Sequence, residues 1–181
     1  MVTSIGMVHT GDVLVPVYFG KIRLQKPILP YWITAAGHRA FGVHLWSGRV
    51  GFLLLACALL ILVYRLALLL LEDHDCASLA VLLLSSTTLF VVHSRISVTD
   101  LPLTFFTLLG LHACCRAVRG PARLGRWHIV ACAAMGLAFS SKGFVGATPA
   151  LAIAAYLIAT RPAHWPRALA VLAHPVCLAL F

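Results

Sequence analysis

Charged residues are scarce in this 181-residue chain: Lys, Arg, Asp and Glu together make up 10% of it, against about 25% in an ordinary soluble domain. Hydrophobic residues make up 61%. A water-soluble domain of this length exposes a large surface, and so few charges are too few to cover it. The mean hydropathy of +0.97 predicts instead that most of the chain is solvated by lipid.

Motifs for metal or thiol redox chemistry are also missing. The sequence contains no CxxC pair and no HExxH, and the spacing of His38 and His44 is a weak metal signal. The formal net charge of +9 does not indicate nucleic acid, because the 14 basic residues are scattered singly between apolar blocks. We expect no nucleic-acid partner and no metal ligand set, and we expect the arginines to meet lipid phosphates.

Long apolar runs dominate what is present. A spanning helix needs about 20 mainly apolar residues, and Ser47 to Leu71 is the clearest case because Arg49 and Arg65 lie near its ends. The sequence predicts an all-α, polytopic membrane helix bundle with about five complete spans and a partial sixth. The predicted spans are residues 47–71, 77–93, 101–115, 128–141, 144–160 and 168–181, with a tight turn at residues 140–143.

The distribution of arginine sets the predicted orientation. The short loops 116–127 and 161–167 carry six arginines, whereas the short loops on the other side carry only Arg95 and Lys142. The arginine-rich loops are therefore predicted to face the cytoplasm. Residues 1–46 are then predicted to be extracytoplasmic. Their mixture of Gly, Pro, aromatic and basic residues predicts an interfacial segment on the bilayer of the plasma membrane.

A small set of polar residues on the extracytoplasmic side could carry chemistry: Lys26, Arg95, Asp100 and Lys142. One interpretation of Arg95 and Asp100 is structural, with a cation reaching the head groups and a carboxylate capping a helix. The other is that cations from separate loops hold a phosphate while a carboxylate handles a proton or a metal. A lipid-linked phosphosugar would fit the second interpretation.

Four blocks of the sequence resemble a known family. Residues 11–16 (GDVLVP) and 25–32 (QKPILPYW), followed by Phe41-Gly42 and Arg49, are similar to the pattern "GDWLVP … EKPPLYYW … FG … R". Residues 95–103 (RISVTDLPL) and 136–149 (GLAFSSKGFVGATP) are similar to two later segments. The pattern is that of polyprenyl-phosphate sugar transferases of the family 39-like GT-C group, which includes the aminoarabinose transferase acting on lipid A.

The resemblance implies a multi-spanning helical glycosyltransferase whose active site opens at the periplasmic face of the inner membrane. Its donor would be a polyprenyl-phosphate-linked sugar, and its acceptor lipid A, a protein hydroxyl or another envelope glycan. By the same resemblance, Lys26 would contact the lipid-linked phosphate, Arg95 and Lys142 would line the cavity, and Asp100 would be the polar residue at the active-site rim.

Two departures from the family pattern change the expectation for this chain. The family's first spanning helix and the acidic motif that follows it precede the "GDWLVP" block, whereas only Met1 to Thr10 precede Gly11 here. The sequence is therefore expected to be a fragment or a degenerate copy. Gln25 stands where the family has Glu. A neutral amide is a poorer ligand for a divalent metal than a carboxylate, and a divalent metal is the one cofactor that the family pattern leaves open.

Two other classes of protein remain as alternatives. A small transporter or channel subunit would use Arg95, Asp100 and Lys142 to line a permeation path, although transporters place ionisable residues at mid-membrane and these lie at segment ends. A non-catalytic membrane scaffold would share the family's helices without its acidic motif.

Overall fold

The computed structural model describes residues 2–12, 14–18, 21–22, 27–119, 125–148 and 151. These residues form mainly α-helices, together with one two-stranded hairpin, which confirms the all-α prediction. The chain divides into two compact units, Met1–Pro102 and Leu103–Phe181. The predicted segment 168–181 and most of 144–160 lie outside the described residues.

Unit 1 begins with helix α1 (Val2–Thr10) and a short hairpin. Gly11 follows α1 with φ of 73°, a conformation that glycine adopts without strain. The Asp12 carboxylate then accepts hydrogen bonds from the backbone N–H groups of Leu14 and Val15 at 2.9 and 3.2 Å. The Gly-Asp pair therefore makes the turn that leads to strands β1 (Val17–Tyr18) and β2 (Lys21–Ile22), which pair antiparallel.

Helix α2 (Leu29–Phe41) packs against helix α3 (Ser47–Leu71) through close backbone contacts. Pro30 lies in the first turn of α2, where no intrahelical N–H bond is lost. A Cβ atom at Gly37 would overlap the Ser47 carbonyl, and one at Gly51 would come within 2.5 Å of Ile33 Cγ2. The two helices can approach this closely because these positions carry no side chain.

Helix α3 has the same bounds as the longest predicted apolar segment. It contains 25 residues with a mean hydropathy of 2.7 in its most apolar window, and it is the one described helix long and apolar enough to cross a membrane. It ends at Leu71 and is capped by Glu72, whose φ of 57° lies in the left-handed region and whose N–H donates to the Leu68 carbonyl at 3.0 Å.

The segment predicted as one span over residues 77–93 forms two helices, α4 (His74–Ser86) and α5 (Thr88–His93). Thr87 between them has an extended backbone, with ψ of 131°. The hydroxyls of Ser85, Ser86 and Thr87 each donate to the carbonyl three residues earlier, at 2.8 to 3.0 Å. Side-chain hydroxyls that compete for backbone carbonyls weaken a helix, which explains the break.

Helix α6 (Asp100–Arg119) begins in unit 1 and continues in unit 2, where it is followed by α7 (Arg126–Lys142). A core cluster of unit 2 consists of small buried residues: Ala113, Cys114, Ala117 and Ala131. The turn predicted at residues 140–143 is displaced, because α7 continues through Lys142 and ends at Gly143, with φ of 60°. Residues 144–148 are helical again.

Candidate functional site

Two of the sequence-predicted site residues lie in the short connection between α5 and α6. Arg95 is exposed in the turn that follows α5, and its backbone N–H donates to the Val92 carbonyl at 3.1 Å. Asp100 is the first residue of α6 and is half-buried. The fold thus keeps this cation and this carboxylate in one connection of unit 1.

This connection is held against the beginning of α3. Ser97 Oγ donates to the Gly48 carbonyl at 3.2 Å, a contact between residues far apart in sequence. Pro102, in the first turn of α6, is fully buried. Because Gly48 lies in the first turn of α3, the loop carrying Arg95 lies beside that turn, which also presents the exposed Arg49. The loop that carries Arg95 and the turn that carries Arg49 are therefore neighbours.

A buried hydroxyl fixes the corner between α2 and α3 at this end of unit 1. Ser47 Oγ lies 2.6 Å from the Gly42 carbonyl and 2.9 Å from His38 Nδ1, and it accepts the His44 N–H at 3.2 Å. A hydroxyl has one proton to donate. If that proton goes to a carbonyl, His38 donates from Nδ1, and its Nε2 is left as an acceptor.

His38 has a structural role in this arrangement, because its buried ring contacts Ser47. Its ring is 3% exposed, and its Nε2 has no hydrogen-bond partner among the described residues. Burial lowers the pKa of His38 below the usual histidine value of about 6.5, because desolvation penalises the charged form. A Cβ atom at Gly48 would lie 2.9 Å from Nε2, so the glycine leaves room for the imidazole.

A cavity of about 330 Å³ lies between α1 and α2. Its lining is mostly apolar, with one cation and one indole: Met7, Val8, Trp32, Ala35, Ala36 and Arg39. Arg39 is exposed, and Trp32 is 39% exposed. An apolar hollow with a guanidinium beside it can hold the chain of an amphiphile while the cation contacts an anionic head group.

The other two predicted site residues are placed differently. Lys142 is the last residue of α7 in unit 2 and is half-buried. Lys26 lies outside the described residues, as does the neighbouring Gln25. The structure thus brings Arg95 and Asp100 into one connection of unit 1 and assigns Lys142 to unit 2. The convergence of all four residues on one phosphate stays a prediction.

No three His, Cys, Asp or Glu side chains converge into a metal-binding group within the part of the chain that the structure describes. His38 and His44, the loose pair noted in the sequence, both contact Ser47: His38 through its ring and His44 through its backbone. Their spacing thus reflects a structural hydrogen-bond network in which Ser47 is the shared partner.

Sequence reasoning missed the Ser47 network and the cavity at Arg39. A single serine at the start of an apolar run gives no signal for four simultaneous hydrogen-bond partners. Arg39 is one of the basic residues of segment 1–46, and this positive charge is the signal in the sequence that could have indicated an anion-binding surface.

The fold of the chain is similar to that of a solved protein, ArnT. The structure matches ArnT from Cupriavidus metallidurans in its apo state with a TM-score of 0.85 and 24% identity, covering 99% of this chain and 34% of that one. It matches the same protein bound to undecaprenyl phosphate with a TM-score of 0.84 and 25% identity, over the same shares of the two chains. The chain therefore has a GT-C glycosyltransferase fold of the aminoarabinose transferase type.

The sequence comparisons agree with the fold. The family model for dolichyl-phosphate-mannose-protein mannosyltransferases matches residues 25–181, and the chain belongs to this family. The undecaprenyl phosphate-alpha-4-amino-4-deoxy-L-arabinose arabinosyl transferase 2 of Sodalis glossinidius is 32% identical over 163 residues, covering 86% of this chain and 29% of the relative. The chain spans between about a fifth and a third of the length of the curated relatives it matches. The family resemblance seen in the sequence is thereby confirmed.

Proposed function

We propose that this chain acts in a membrane glycosyltransferase that moves a sugar from a polyprenyl-phosphate donor to lipid A, a protein or another envelope acceptor. The observation that carries the proposal is the likeness of 99% of the chain to ArnT in its undecaprenyl phosphate complex. The name of the Sodalis relative, an arabinosyl transferase with an undecaprenyl-phosphate donor, supports the same substrate class.

The proposed protein is a multi-pass protein of the inner membrane, with residues 1–46 as an extracytoplasmic interfacial segment and residues 47–181 as the helix bundle. Large apolar side chains on α3, α4 and α5 support this placement because they are exposed: Leu53, Leu54, Ile61, Leu79, Leu82, Leu83 and Leu89 are each more than half exposed. An apolar surface of this extent is stable in contact with acyl chains and unfavourable in water.

The proposed site uses Lys26, Arg95 and Lys142 to hold the donor phosphate. As the glycosidic bond breaks, the departing phosphate gains negative charge, and fixed cations in a low-dielectric cleft stabilise that charge. Asp100 would be the carboxylate at the rim that orients the acceptor or takes its proton. The exposed guanidinium of Arg95 and the location of Asp100 at the start of α6 are compatible with these roles.

The cavity at Arg39 supports a substrate with a long apolar chain. Its volume of about 330 Å³ lies at the lower end of the range of small-molecule sites, roughly 300–1,000 Å³. Only part of a prenyl chain would fit, and the remainder would stay in the bilayer. An exposed cation beside the cavity suits the charged end of such a molecule.

The transporter alternative predicts ionisable residues in the middle of the membrane. In α3, the charged residues are Arg49 in the first turn and Arg65 near the end, and both are exposed. Charges at helix ends suit head-group contacts better than a permeation path.

Donor binding tests the proposed function. The purified full chain in detergent is titrated with undecaprenyl phosphate, and bound lipid is measured by native mass spectrometry. Replacing one phosphate-binding cation, as in Arg95→Gln or Lys26→Ala, is expected to weaken binding by about tenfold to a hundredfold, because a charge-assisted hydrogen bond contributes roughly 1.5–3 kcal/mol. Lys21→Ala is the control, since Lys21 is an exposed residue of β2 with no role in the proposed site.

A transfer assay complements the binding measurement. Asp100→Asn keeps the size of the side chain and is expected to leave donor affinity unchanged while abolishing transfer of labelled sugar in membranes that contain the full chain. An unchanged affinity in Lys26→Ala and Arg95→Gln would remove those residues from the site. Binding of undecaprenyl phosphate no tighter than that of a neutral prenyl alcohol would overturn the proposed donor.

A further inference from the structure

The α6–α7 hairpin of unit 2 carries a cluster of cations around one aromatic ring. The guanidinium carbon of Arg116 lies 5.5 Å from the centroid of the Trp127 ring, and that of Arg126 lies 5.2 Å from it. Both arginines are exposed. Each distance is within the range of a cation–π contact, so a single indole contacts two positively charged groups.

The indole that holds these arginines is itself fixed by the protein core. Trp127 is half-buried and packs against the buried cluster formed by Ala113, Cys114, Ala117 and Ala131. The ring of His112, which is 4% exposed, meets it edge-on at 5.9 Å. The two guanidinium groups therefore rest on a platform fixed by the packing of α6 against α7.

No acidic side chain balances this cluster within its unit. Residues 101–181 contain seven Lys or Arg and no Asp or Glu, so no carboxylate of unit 2 can form an ion pair with Arg116 or Arg126. Two like charges held beside one ring repel each other, and an anion that contacts both relieves the repulsion. A counter-charge for these arginines has to come from outside unit 2, and an anionic ligand can supply it.

We propose that Arg116, Arg126 and Trp127 form a binding site for the phosphate of an anionic phospholipid. Guanidinium groups match phosphate oxygens with paired hydrogen bonds, and tryptophan favours the head-group region of a bilayer. Ile129, further along α7, is 57% exposed and offers an apolar contact for an acyl chain. A phospholipid with a choline head group would place its own cation near the arginines and is the poorer ligand.

This site takes a different ligand from the proposed donor site and uses none of its residues. The arginine-rich loop is the one predicted to face the cytoplasm, and anionic lipids attract basic residues beside a membrane. The bound lipid would anchor this end of the hairpin in the head-group region while the chain acts on substrates elsewhere.

Lipid selectivity of the full chain tests the proposal. The delipidated protein in neutral detergent is titrated separately with dioctanoyl phosphatidylglycerol, dioctanoyl phosphatidylcholine and inorganic phosphate, and adducts are counted by native mass spectrometry. We expect a preference of about tenfold or more for phosphatidylglycerol over phosphatidylcholine, because each basic residue near an anionic lipid contributes roughly 1 kcal/mol. Arg116→Gln combined with Arg126→Gln should abolish this preference.

The matched control is Lys21→Gln, which removes an exposed cation of β2 outside both proposed sites. It has the same net charge as the single variant Arg126→Gln and should keep the full preference, whereas Arg126→Gln should weaken it. Equal selectivity in the double test variant and the unmodified chain would overturn the proposal, as would equal loss in Lys21→Gln and Arg126→Gln. Saturation by inorganic phosphate at the concentration that saturates with phosphatidylglycerol would also overturn it, because the ligand would then not need a lipid.

Discussion

Ser47 shows how one side chain can define a corner of the fold. It is fully buried at the first residue of α3, and its hydroxyl contacts the carbonyls of Gly42 and His44, the N–H of His44 and the ring of His38. The turn between α2 and α3 leaves these backbone groups without helical partners. The Ser47 hydroxyl supplies hydrogen-bond partners that these backbone groups would otherwise find inside a helix.

We predict that Ser47→Ala destabilises the chain by about 1–3 kcal/mol, because buried polar groups lose their partner. Denaturant unfolding in mixed micelles measures the change. Ser78→Ala is the control: Ser78 is exposed on α4 and donates only to the His74 carbonyl at 2.8 Å, so its loss should change stability by less than about 0.5 kcal/mol. Equal effects of the two substitutions would contradict the role given to Ser47.

The packing of α2 on α3 depends on glycines that contact the opposite helix, so neither helix by itself shows why a glycine is needed there. Gly37 of α2 faces the Ser47 carbonyl, and Gly48 of α3 faces the His38 ring. Glycine lowers the intrinsic stability of a helix by roughly 0.5–1 kcal/mol relative to alanine, so these positions favour close contact over helix propensity. The break between α4 and α5 also has a local cause, because consecutive hydroxyl side chains there donate to backbone carbonyls.

Gly37→Ala is expected to lower stability by about 1–3 kcal/mol, because the new methyl group meets backbone that cannot rotate away. Gly6→Ala provides a comparison within another helix. Its nearest neighbour would be the Val17 carbonyl at 3.5 Å, an ordinary contact, so the substitution should be neutral or stabilise α1 by roughly 0.5–1 kcal/mol. Thermal unfolding in detergent distinguishes the two, and a neutral Gly37→Ala would show that α2 and α3 are further apart than described.

For the whole molecule, α3 is the element that decides the relation to the membrane. At 1.5 Å per residue, its 25 residues are long enough to cross a hydrocarbon core of about 30 Å. The proposed membrane placement therefore puts its two ends on opposite sides of the bilayer, the first near the Arg95 loop and the second near Glu72.

A cysteine introduced at each end of α3 tests this arrangement. Val43→Cys and Glu72→Cys change exposed residues in the connections before and after the helix. In intact cells, a membrane-impermeant maleimide is expected to add label to Val43→Cys above the level of the unmodified chain, and to add label to Glu72→Cys only after the cells are opened. Labelling of both variants from the same side would show that α3 does not span.

The sequence by itself determined the family, the helical class and the longest apolar helix, because these depend on composition and on the order of short motifs along the chain. Arg95 and Asp100 could be placed together for the same reason, since they are close in sequence. Tertiary structure decided the Ser47 corner, the cavity at Arg39 and the two arginines on Trp127. Each of these depends on helices that pack face to face, and the distance between side chains on different helices is set by that packing rather than by any local pattern.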